Sequence, residues 1–368
     1  LGISYIAHGV EIAADRGYIW DDPRGAWTKG TLSHNIASVD GQKQNHRDRR
    51  SMLELFGRGP GVEIVQAAAL AYEQCDLYRR TCALVQRTDG GTYAVDFFRL
   101  AGGQTHHYGF HCNGALVGIQ GADFAALADA GAVLEEWSQW VERPRAARWE
   151  GPVVATWAHE GVHMDLHLLV ADAPGWRSCD GSQLNAPPVQ QILAERSGGA
   201  SSYAAVMVPY EGADSPINGV RLIDCGDGAL AVEVSLADRT DYIISAPDDA
   251  ERTCGPVVLA GRFGLVSVAG DGRPLSGYLL AGTHLVCGDM ECTLPAGHTR
   301  LPVASVAGRT LQLAQSVAEE VRAFSHWALI GGTGYEIAQL AADALHVGDY
   351  PLVADEVVTL LHHRTWMR

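Results

Sequence analysis

Four polar side chains near the start of the chain have types and spacings suited to metal binding or acid–base chemistry. His34 and Asn35 open an alternating stretch that closes on Asp40-Gly41, and an Asp-Gly pair after such a run is typical of a hairpin turn. His34 is therefore predicted early in a strand, where a rigid element holds its imidazole beside the Asn35 amide. Asp15 and Tyr18 lie at another predicted strand end. We expect the carboxylate, the imidazole and the phenol on neighbouring strands.

The order of five short segments forms a pattern that extends far along the chain. The segments are Asp15-Arg16-Gly17, His34-Asn35-Ile36-Ala37, Val39-Asp40-Gly41-Gln42, Asp96–Gly103 followed by His106, and Ser201–Tyr210. The pattern resembles the C-terminal β-sheet domain of the heparinase II/III-like polysaccharide lyases. In that family a strand ending in Asp-x-Gly precedes His-Asn-Thr-Val and Val-Asp-Gly-x-Gln, so Ile36 and Ala37 are the departures.

The resemblance implies a zinc site. Asp15 and His34 match two of the three protein ligands of a structural zinc ion, and imidazole nitrogen and carboxylate oxygen both suit this metal. The third ligand, a histidine, is expected upstream of Leu1, and a helical toroid that carries a catalytic tyrosine is expected further upstream. The chain is thus predicted to lack the N-terminal part of its parent protein. The alternative is a strand-end aspartate and a core histidine bonded to the backbone.

Tyr18 and Asn35 are the candidate catalytic residues. A uronate lyase removes the proton on the carbon beside a carboxylate, and polar donors stabilise the enolate that develops. Asn35 could supply such a donor, and the Tyr18 phenol could act as acid or base. The alternatives are a tyrosine that packs on the sheet and an asparagine amide bonded to nearby backbone.

Other motifs are weaker. His106, His107 and His111 form a second histidine cluster, in which alternation places His107 and His111 on one strand face. The segment His159-Glu160-Gly161-Val162-His163 spells the metalloprotease motif His-Glu-x-x-His, which works only on a helix. Both of its flanks alternate with period two, so we predict a hairpin tip there. Gly331–Gly334 is likewise predicted to be a turn and not a phosphate loop.

The composition limits the class of protein. The chain has 368 residues with 47% hydrophobic residues and 42 glycines, which together with short alternating segments indicate an all-β fold. No apolar run is long enough to span a membrane. A formal net charge of −16 argues against nucleic acid as a partner. A polyanion would need a local basic lining, for which Arg47, Arg49 and Arg50 are one candidate, although a solvated loop is as good an interpretation.

Eight cysteines are scattered along the chain without a Cys-x-x-Cys pair, which argues against a zinc ribbon. In a domain of this size scattered cysteines are more often buried free thiols than disulfides. We therefore predict mainly free thiols, with a disulfide as the minority alternative in an oxidising compartment.

The predicted architecture is a two-layered antiparallel β-sandwich, or supersandwich, over residues 1–285, with a smaller C-terminal β module over 286–368. Residues 81–99 are predicted to form a hairpin, and the alanine-rich stretch 62–72 is assigned to a sheet. Residues 124–140 are predicted to form a short helix or an irregular loop. Residues 171–198, rich in Pro, Gly and Ser, are predicted to form a long surface loop.

The predicted function is that of the C-terminal domain of a polysaccharide lyase, which forms one cleft wall and part of a zinc site. The parent would cleave a uronic-acid-containing glycan by β-elimination, and this fragment alone should be inactive. Its partners would be an acidic polysaccharide or oligosaccharide and the helical toroid. The resemblance implies a periplasmic or secreted protein. The alternative is a non-catalytic carbohydrate-binding or structural β module, whose nine tryptophans could stack on sugars.

Overall fold

The chain is built almost entirely from antiparallel strands. The computed structural model describes residues 1–17, 19, 21–45, 51–128, 139–149, 151–170, 175–183, 187–348 and 355–368. Strands account for 63% and helices for 4%, which confirms the predicted all-β class. The helices are α1 (Gly25–Thr28), a 3₁₀ turn (Thr31–Ser33) and α2 (Glu319–Phe324). No helix in these ranges has the length and apolar character needed to cross a bilayer.

The chain contacts divide it into two units. The first comprises residues 1–50, 69–80 and 86–216, and the second comprises residues 51–68, 81–85 and 217–368. The predicted domains, residues 1–285 and 286–368, divide the chain once, whereas each unit combines separate segments. That predicted division stays a prediction.

The strands are numbered along the chain. Up to residue 126 they are β1 (Tyr5–Ala7), β2 (Val10–Ala13), β3 (Ile36–Val39), β4 (Ser51–Gly59), β5 (Val62–Ala69), β6 (Leu77–Gln86), β7 (Thr92–Ala101), β8 (Thr105–His111), β9 (Ala115–Gln120) and β10 (Ala125–Ala126). Up to residue 223 they are β11 (Val141–Arg148), β12 (Val153–His159), β13 (Val162–Leu169), β14 (Gly175–Gly181), β15 (Val189–Ser197), β16 (Ala200–Glu211) and β17 (Ile217–Ile223). The remainder are β18 (Leu230–Leu236), β19 (Arg239–Ser245), β20 (Glu251–Cys254), β21 (Val257–Ala269), β22 (Pro274–Cys287), β23 (Met290–Thr293), β24 (His298–Ala307), β25 (Thr310–Leu313), β26 (Ser325–Ile330), β27 (Thr333–Leu340), β28 (Ala344–Val347) and β29 (Val357–Met367).

The first unit is a two-layered sandwich. One sheet has the strand order β10-β11-β14-β15-β8-β3, and the other includes the order β7-β16-β13-β12-β9. Alternating residues of each strand point inward, as in β12, where every second residue from Val153 to Trp157 is buried. Aromatic rings join the layers: Phe110 lies 5.9 Å from Trp157, and Tyr108 lies 5.5 Å from Tyr203, between ring centroids. The core therefore sits between the two sheets, as the sandwich prediction requires.

The second unit contains a long antiparallel path and a closed ring. Its strands pair in the order β17-β18-β19-β21-β22-β29-β24-β25-β28-β27-β26, and β26 also pairs with β29. The last six strands of this path thus close on themselves around a core that includes Leu311, Ile330 and Leu360. Closure removes exposed sheet edges. This small barrel confirms the prediction of a smaller C-terminal β module.

Several local predictions can be compared with the strands. Of the alanine-rich stretch 62–72, residues 62–69 form β5, and the hairpin predicted over 81–99 is formed by β6 and β7. The long loop predicted over residues 171–198 is wrong, because β14 and β15 pair there along seven residues each. Their apolar residues, such as Trp176 and Ile192, are buried in the core and outweigh the loop-like composition. Much of the stretch 124–140 lies outside the described residues, as do Arg47, Arg49 and Arg50.

The cysteines also depart from the prediction of mainly free thiols at one pair. Cys225 and Cys254 form a disulfide, whereas the other six cysteines are free. Cys225 follows β17 and Cys254 ends β20, so pairing of strands that are distant in sequence brings the two together. Spacing along the chain carries no signal for this contact.

Candidate functional site

Asp15 and His34 meet in the first unit. The His34 Nδ1 atom lies 3.2 Å from Asp15 Oδ2, although 19 residues separate them in the sequence. The prediction that both lie on neighbouring strands is wrong in detail. Asp15 follows β2 of a two-stranded sheet, and His34 ends the 3₁₀ turn, where its backbone N–H donates to the Thr31 carbonyl. The two segments nevertheless bring a carboxylate and an imidazole to one point.

The turn after β3 has the predicted backbone shape, but in the described part of the chain it does not join β3 to a paired strand. Asp40 and Gly41 both have positive φ, at 54° and 64°, as a type I′ turn requires. Strand β3 pairs instead with β8, with Ile36 opposite Gly109. The Asp40 carboxylate accepts hydrogen bonds from the backbone of Gln104 and Thr105 at 2.7 and 2.9 Å. It therefore joins this turn to the start of β8.

The Asp15 carboxylate is oriented by its own loop. The Gly17 N–H donates to Asp15 Oδ1 at 3.0 Å, and the positive φ of Gly17, 72°, allows this tight turn. The second carboxylate oxygen is thereby left facing His34. Asp15 is 62% exposed and His34 26% exposed at the side chain, so the pair lies at the surface with the imidazole half-buried.

Burial keeps the His34 imidazole neutral. Desolvation lowers the pKa of His34 and the positive charge of Arg16 lowers it further, while the Asp15 carboxylate partly opposes both effects. A neutral imidazole can act as a metal ligand or accept a proton. The electrostatics thus favour a ligand or base over a permanent cation at this position.

Arg16 is a site residue that sequence reasoning missed. Its guanidinium is buried, which lowers its pKa to about 10, and it lies 5.7 Å from the Trp27 ring in cation–π geometry. Nε donates to the Ser33 carbonyl at 3.1 Å. Neither terminal nitrogen has a hydrogen-bond partner among the described residues. Arg16 follows the motif aspartate directly, but nothing in its sequence neighbourhood indicated burial.

Asn35 is fully buried beside this pair. Its Oδ1 accepts a hydrogen bond from the His111 backbone at 2.8 Å, in agreement with the alternative of a backbone-bonded amide. Its Nδ2 has no partner within the described part of the chain. The catalytic role of Asn35 stays a prediction. Tyr18, the other predicted catalytic residue, lies outside the described residues.

The Asp15–His34 pair supplies two metal donors. Carboxylate oxygen and neutral imidazole nitrogen fit zinc, but a zinc site normally takes three or four protein ligands. No group of three or more His, Cys, Asp or Glu side chains suited to a metal occurs in the described ranges. The zinc assignment and its expected third ligand upstream of Leu1 therefore stay predictions.

Two histidines of the predicted second cluster have structural partners. His106 is bonded to the Ser201 hydroxyl at 2.7 Å and to the Gly102 carbonyl at 2.8 Å, and His107 lies 3.0 Å from Glu195. The His-Glu-x-x-His segment forms the tip of the β12–β13 hairpin, with His163 opposite Ala158. The predicted hairpin is confirmed, and the geometry of a helical metalloprotease motif does not occur there.

A cavity of about 590 Å³ lies in the same unit. Its polar lining includes Asn113, His159, Gln190 and the ion pair between Asp180 and Arg143. Arg143 has a positive φ of 45° at a β-bulge in β11, and a bulge of this kind re-aims a side chain. The cavity thus presents amide, imidazole and guanidinium groups, which can hydrogen-bond to the hydroxyls and acidic groups of a sugar.

The fold is similar to those of solved structures. It is similar to heparinase III, with a TM-score of 0.44 and 15% identity over 64% of this chain and 34% of that chain. It is also similar to the heparan sulfate lyase HepC from Pedobacter heparinus, with a TM-score of 0.45 and 12% identity over 66% of this chain and 36% of that chain. The predicted resemblance is confirmed to this extent. The chain spans about a third of the length of these structures, and no family model or curated protein matches the sequence.

Proposed function

We propose that this chain is the C-terminal domain of a polysaccharide lyase that cleaves a uronic-acid-containing glycan by β-elimination. The observation that carries the proposal is the 3.2 Å approach of Asp15 Oδ2 and His34 Nδ1. These are the two residues that the family motifs single out as zinc ligands, and they come from separate segments. In this proposal the domain forms one wall of the substrate cleft.

The surroundings of the pair suit a substrate carboxylate. During β-elimination a proton leaves the carbon beside that carboxylate, and negative charge builds on its oxygens. Two donor groups belong to residues next to the pair: the Asn35 amide nitrogen, which has no partner among the described residues, and the Arg16 guanidinium, whose charge acts on His34. We assign them the role of stabilising this charge, and we assign Tyr18 that of an acid or base. The principal acid and base would lie on a helical toroid domain.

Zinc is part of the proposal as a structural ion. Asp15 and His34 would hold it together with a histidine from the parent protein. A bound zinc ion would fix the loop after β2 to the turn before β3. The chain's own residues already orient both donors, because the Gly17 amide holds Asp15 and the 3₁₀ turn holds His34.

A periplasmic or secreted location is also proposed. The Cys225–Cys254 disulfide supports it, because such bonds persist in oxidising compartments. Because the net charge of the chain is −16, an acidic polysaccharide would bind there only at a local positive site. Arg16 is one positive group near the Asp15–His34 pair.

The proposal is tested by assaying unsaturated uronate product through its ultraviolet absorbance, with heparan sulfate, alginate and other uronate glycans as substrates. The chain alone should give no turnover, whereas the parent protein with its upstream domain should be active. His34→Ala and Asn35→Ala in the parent should lower activity. If the parent released no unsaturated product from any uronate glycan, the lyase proposal would fail. Rapid turnover by the chain alone would contradict the division of roles.

The cavity beside Asp180 supports a second candidate, a carbohydrate-binding module without catalysis. Its volume and polar lining suit a sugar unit. This candidate predicts that calorimetry detects binding of uronate oligosaccharides to the chain, whereas the parent protein catalyses no elimination. Replacement of Arg143 by Gln should then weaken binding. The matched control is Arg221→Gln, at an exposed arginine that is likewise paired with a carboxylate, that of Glu233.

A further inference from the structure

We propose that His326 and His363 form a binding site for a divalent transition-metal ion of the zinc, copper or nickel class. Both residues belong to the second unit. Their imidazole rings lie edge to face, with ring centroids 4.5 Å apart. The Tyr278 ring lies 5.6 Å from that of His363. Two imidazoles and a phenol thus come together, independently of Asp15 and His34.

The strand pairing explains how the two histidines meet. In the β26–β29 ladder, Ser325 is opposite His362 and Trp327 is opposite Leu361, so His326 is an extra residue at a register shift. A β-bulge of this kind turns the extra side chain away from regular alternation. His363 is the next residue along β29, and the bulge brings the His326 ring against it.

Unsatisfied polar atoms mark this place. Both ring nitrogens of His363 are buried and have no hydrogen-bond partner among the described residues, and the same holds for the Tyr278 hydroxyl. Tyr278 itself is 2% exposed. Buried polar groups are almost always paired, because an isolated one destabilises the folded state. Three such atoms on two neighbouring side chains point to a bound ion with its water.

Tyr278 and His363 lie on the same face of the sheet, on the neighbouring strands β22 and β29. His363 is the register partner of Leu280, two residues from Tyr278 on the same face of β22. A Cβ on Gly57 would lie 2.5 Å from the Tyr278 hydroxyl and 2.8 Å from Leu280 Cδ2. The hydroxyl therefore reaches the Leu280 position, beside His363, in space that a glycine leaves open.

The chemistry of these donors selects the metal class. Because both His363 ring nitrogens are buried without a partner among the described residues, its imidazole can offer a lone pair to an ion. Imidazole nitrogens favour zinc, copper and nickel over calcium or magnesium. Two imidazoles that share one ion through metal–nitrogen bonds of about 2 Å have ring centroids roughly 4.5–5.5 Å apart, and the observed separation of 4.5 Å lies at the short end of that range. His326 is exposed, which gives the ion a path from solvent.

The test is calorimetric titration of the metal-free full chain with Zn²⁺, Ni²⁺ and Cu²⁺, with the visible absorption of bound Cu²⁺ as a second readout. His326→Ala and His363→Gln should each weaken this site about tenfold or more. Tyr278→Phe should weaken it a few-fold. His346→Ala, at an exposed histidine bonded to Thr310 in the same unit, is the matched control and should leave binding unchanged.

A further variant separates this site from the Asp15–His34 pair. His34→Ala should leave the stoichiometry and affinity at His326 and His363 unchanged. The proposal is overturned if wild-type chain binds none of these ions. It is also overturned if binding survives both His326→Ala and His363→Gln, or is removed by His34→Ala alone. His326 is exposed, so His326→Ala preserves the test even if His363→Gln fails to fold.

Discussion

At the residue scale, one buried arginine fixes the backbone of the candidate site. Arg80 Nη1 donates to the Asn35 carbonyl at 2.7 Å and to the Leu1 carbonyl at 2.6 Å. The other side of its guanidinium binds the Asp96 carboxylate at 2.9 and 2.7 Å, and the Tyr108 hydroxyl donates to the same carboxylate at 2.6 Å. The motif residue Asp96 is therefore an anchor within the sandwich. It positions Asn35 through Arg80 without reaching the site itself.

We expect Asp96→Asn to lower the free energy of unfolding by about 3–5 kcal/mol, because it leaves a buried guanidinium without its counter-charge. Tyr108→Phe removes the phenol's hydrogen bond to the Asp96 carboxylate but keeps the charge pair, and should cost about 2 kcal/mol. Urea denaturation of both variants measures the difference. Equal costs for the two substitutions would show that the Arg80–Asp96 charge pair is not the main contribution.

At the element scale, the β12–β13 hairpin contains a His-Glu-x-x-His segment without the helical conformation that the metalloprotease motif requires. Glu160 and Gly161 have φ values of 49° and 84°, the positive pair that a type I′ turn needs. The flanking residues alternate and pair directly across the turn, with His159 opposite Val162. A glycine inside the His-Glu-x-x-His segment and β-forming flanks together favour the hairpin over a helix.

We expect Glu160→Asn to stabilise the first unit by about 0.5–1 kcal/mol, because asparagine accepts positive φ at this turn position more readily than glutamate. The contact between Glu160 and His159 is 3.8 Å long and exposed, so its loss in the variant should cost little stability. Thermal unfolding midpoints measure the effect. Glu160→Val should be destabilising, since a β-branched residue is strained at positive φ; a stabilising valine would contradict the turn argument.

Hairpins could be predicted from the sequence, whereas pairings between distant strands could not. Hairpins such as β6–β7 and β12–β13 are encoded locally, by alternation and turn residues, and were predicted. The pairing of β3 with β8 places Ile36 opposite Gly109, and no local pattern specifies such a distant partner. The meeting of Asp15 and His34 was expected only because family motifs link their two segments. The burial of Arg16 depends on tertiary packing against Trp27 and had no sequence signal.

At the scale of the whole molecule, the Cys225–Cys254 disulfide stabilises the second unit by restricting its unfolded chain. The bridge closes a sequence separation of 29 residues. A loop of this length corresponds to about 3–4 kcal/mol in the chain-entropy account. We expect Cys225→Ser, or a reducing agent, to lower the stability of this unit by about that amount.

Denaturant unfolding with and without reductant measures this contribution, and Cys292→Ser, at a free buried cysteine of the same unit, is the control. Reductant should leave the stability of the Cys225→Ser variant unchanged, because the bond is already absent. A wild-type chain equally stable in reductant would show that the bridge contributes nothing.

Buried histidines make the whole molecule sensitive to mild acid. Burial lowers the pKa of six of them: His34, His106, His111, His167, His362 and His363. The unfolded chain takes up protons near the ordinary pKa of 6.5, whereas the folded chain does so only at lower pH. The unfolded state therefore binds more protons in this window, so stability is complete above about pH 6.5 and falls as the pH drops towards 4.

His111 should contribute strongly to this fall. It is 1% exposed, and burial, with the charge of Arg16, holds its pKa well below the ordinary value. We expect the free energy of unfolding to decrease between pH 7.5 and pH 5, with up to about 2 kcal/mol from His111. His111→Gln, which cannot titrate, should flatten the dependence, whereas His346→Gln at an exposed position should not. Urea denaturation at both pH values measures the slopes, and an unchanged slope in His111→Gln would place the acid sensitivity on the other buried histidines.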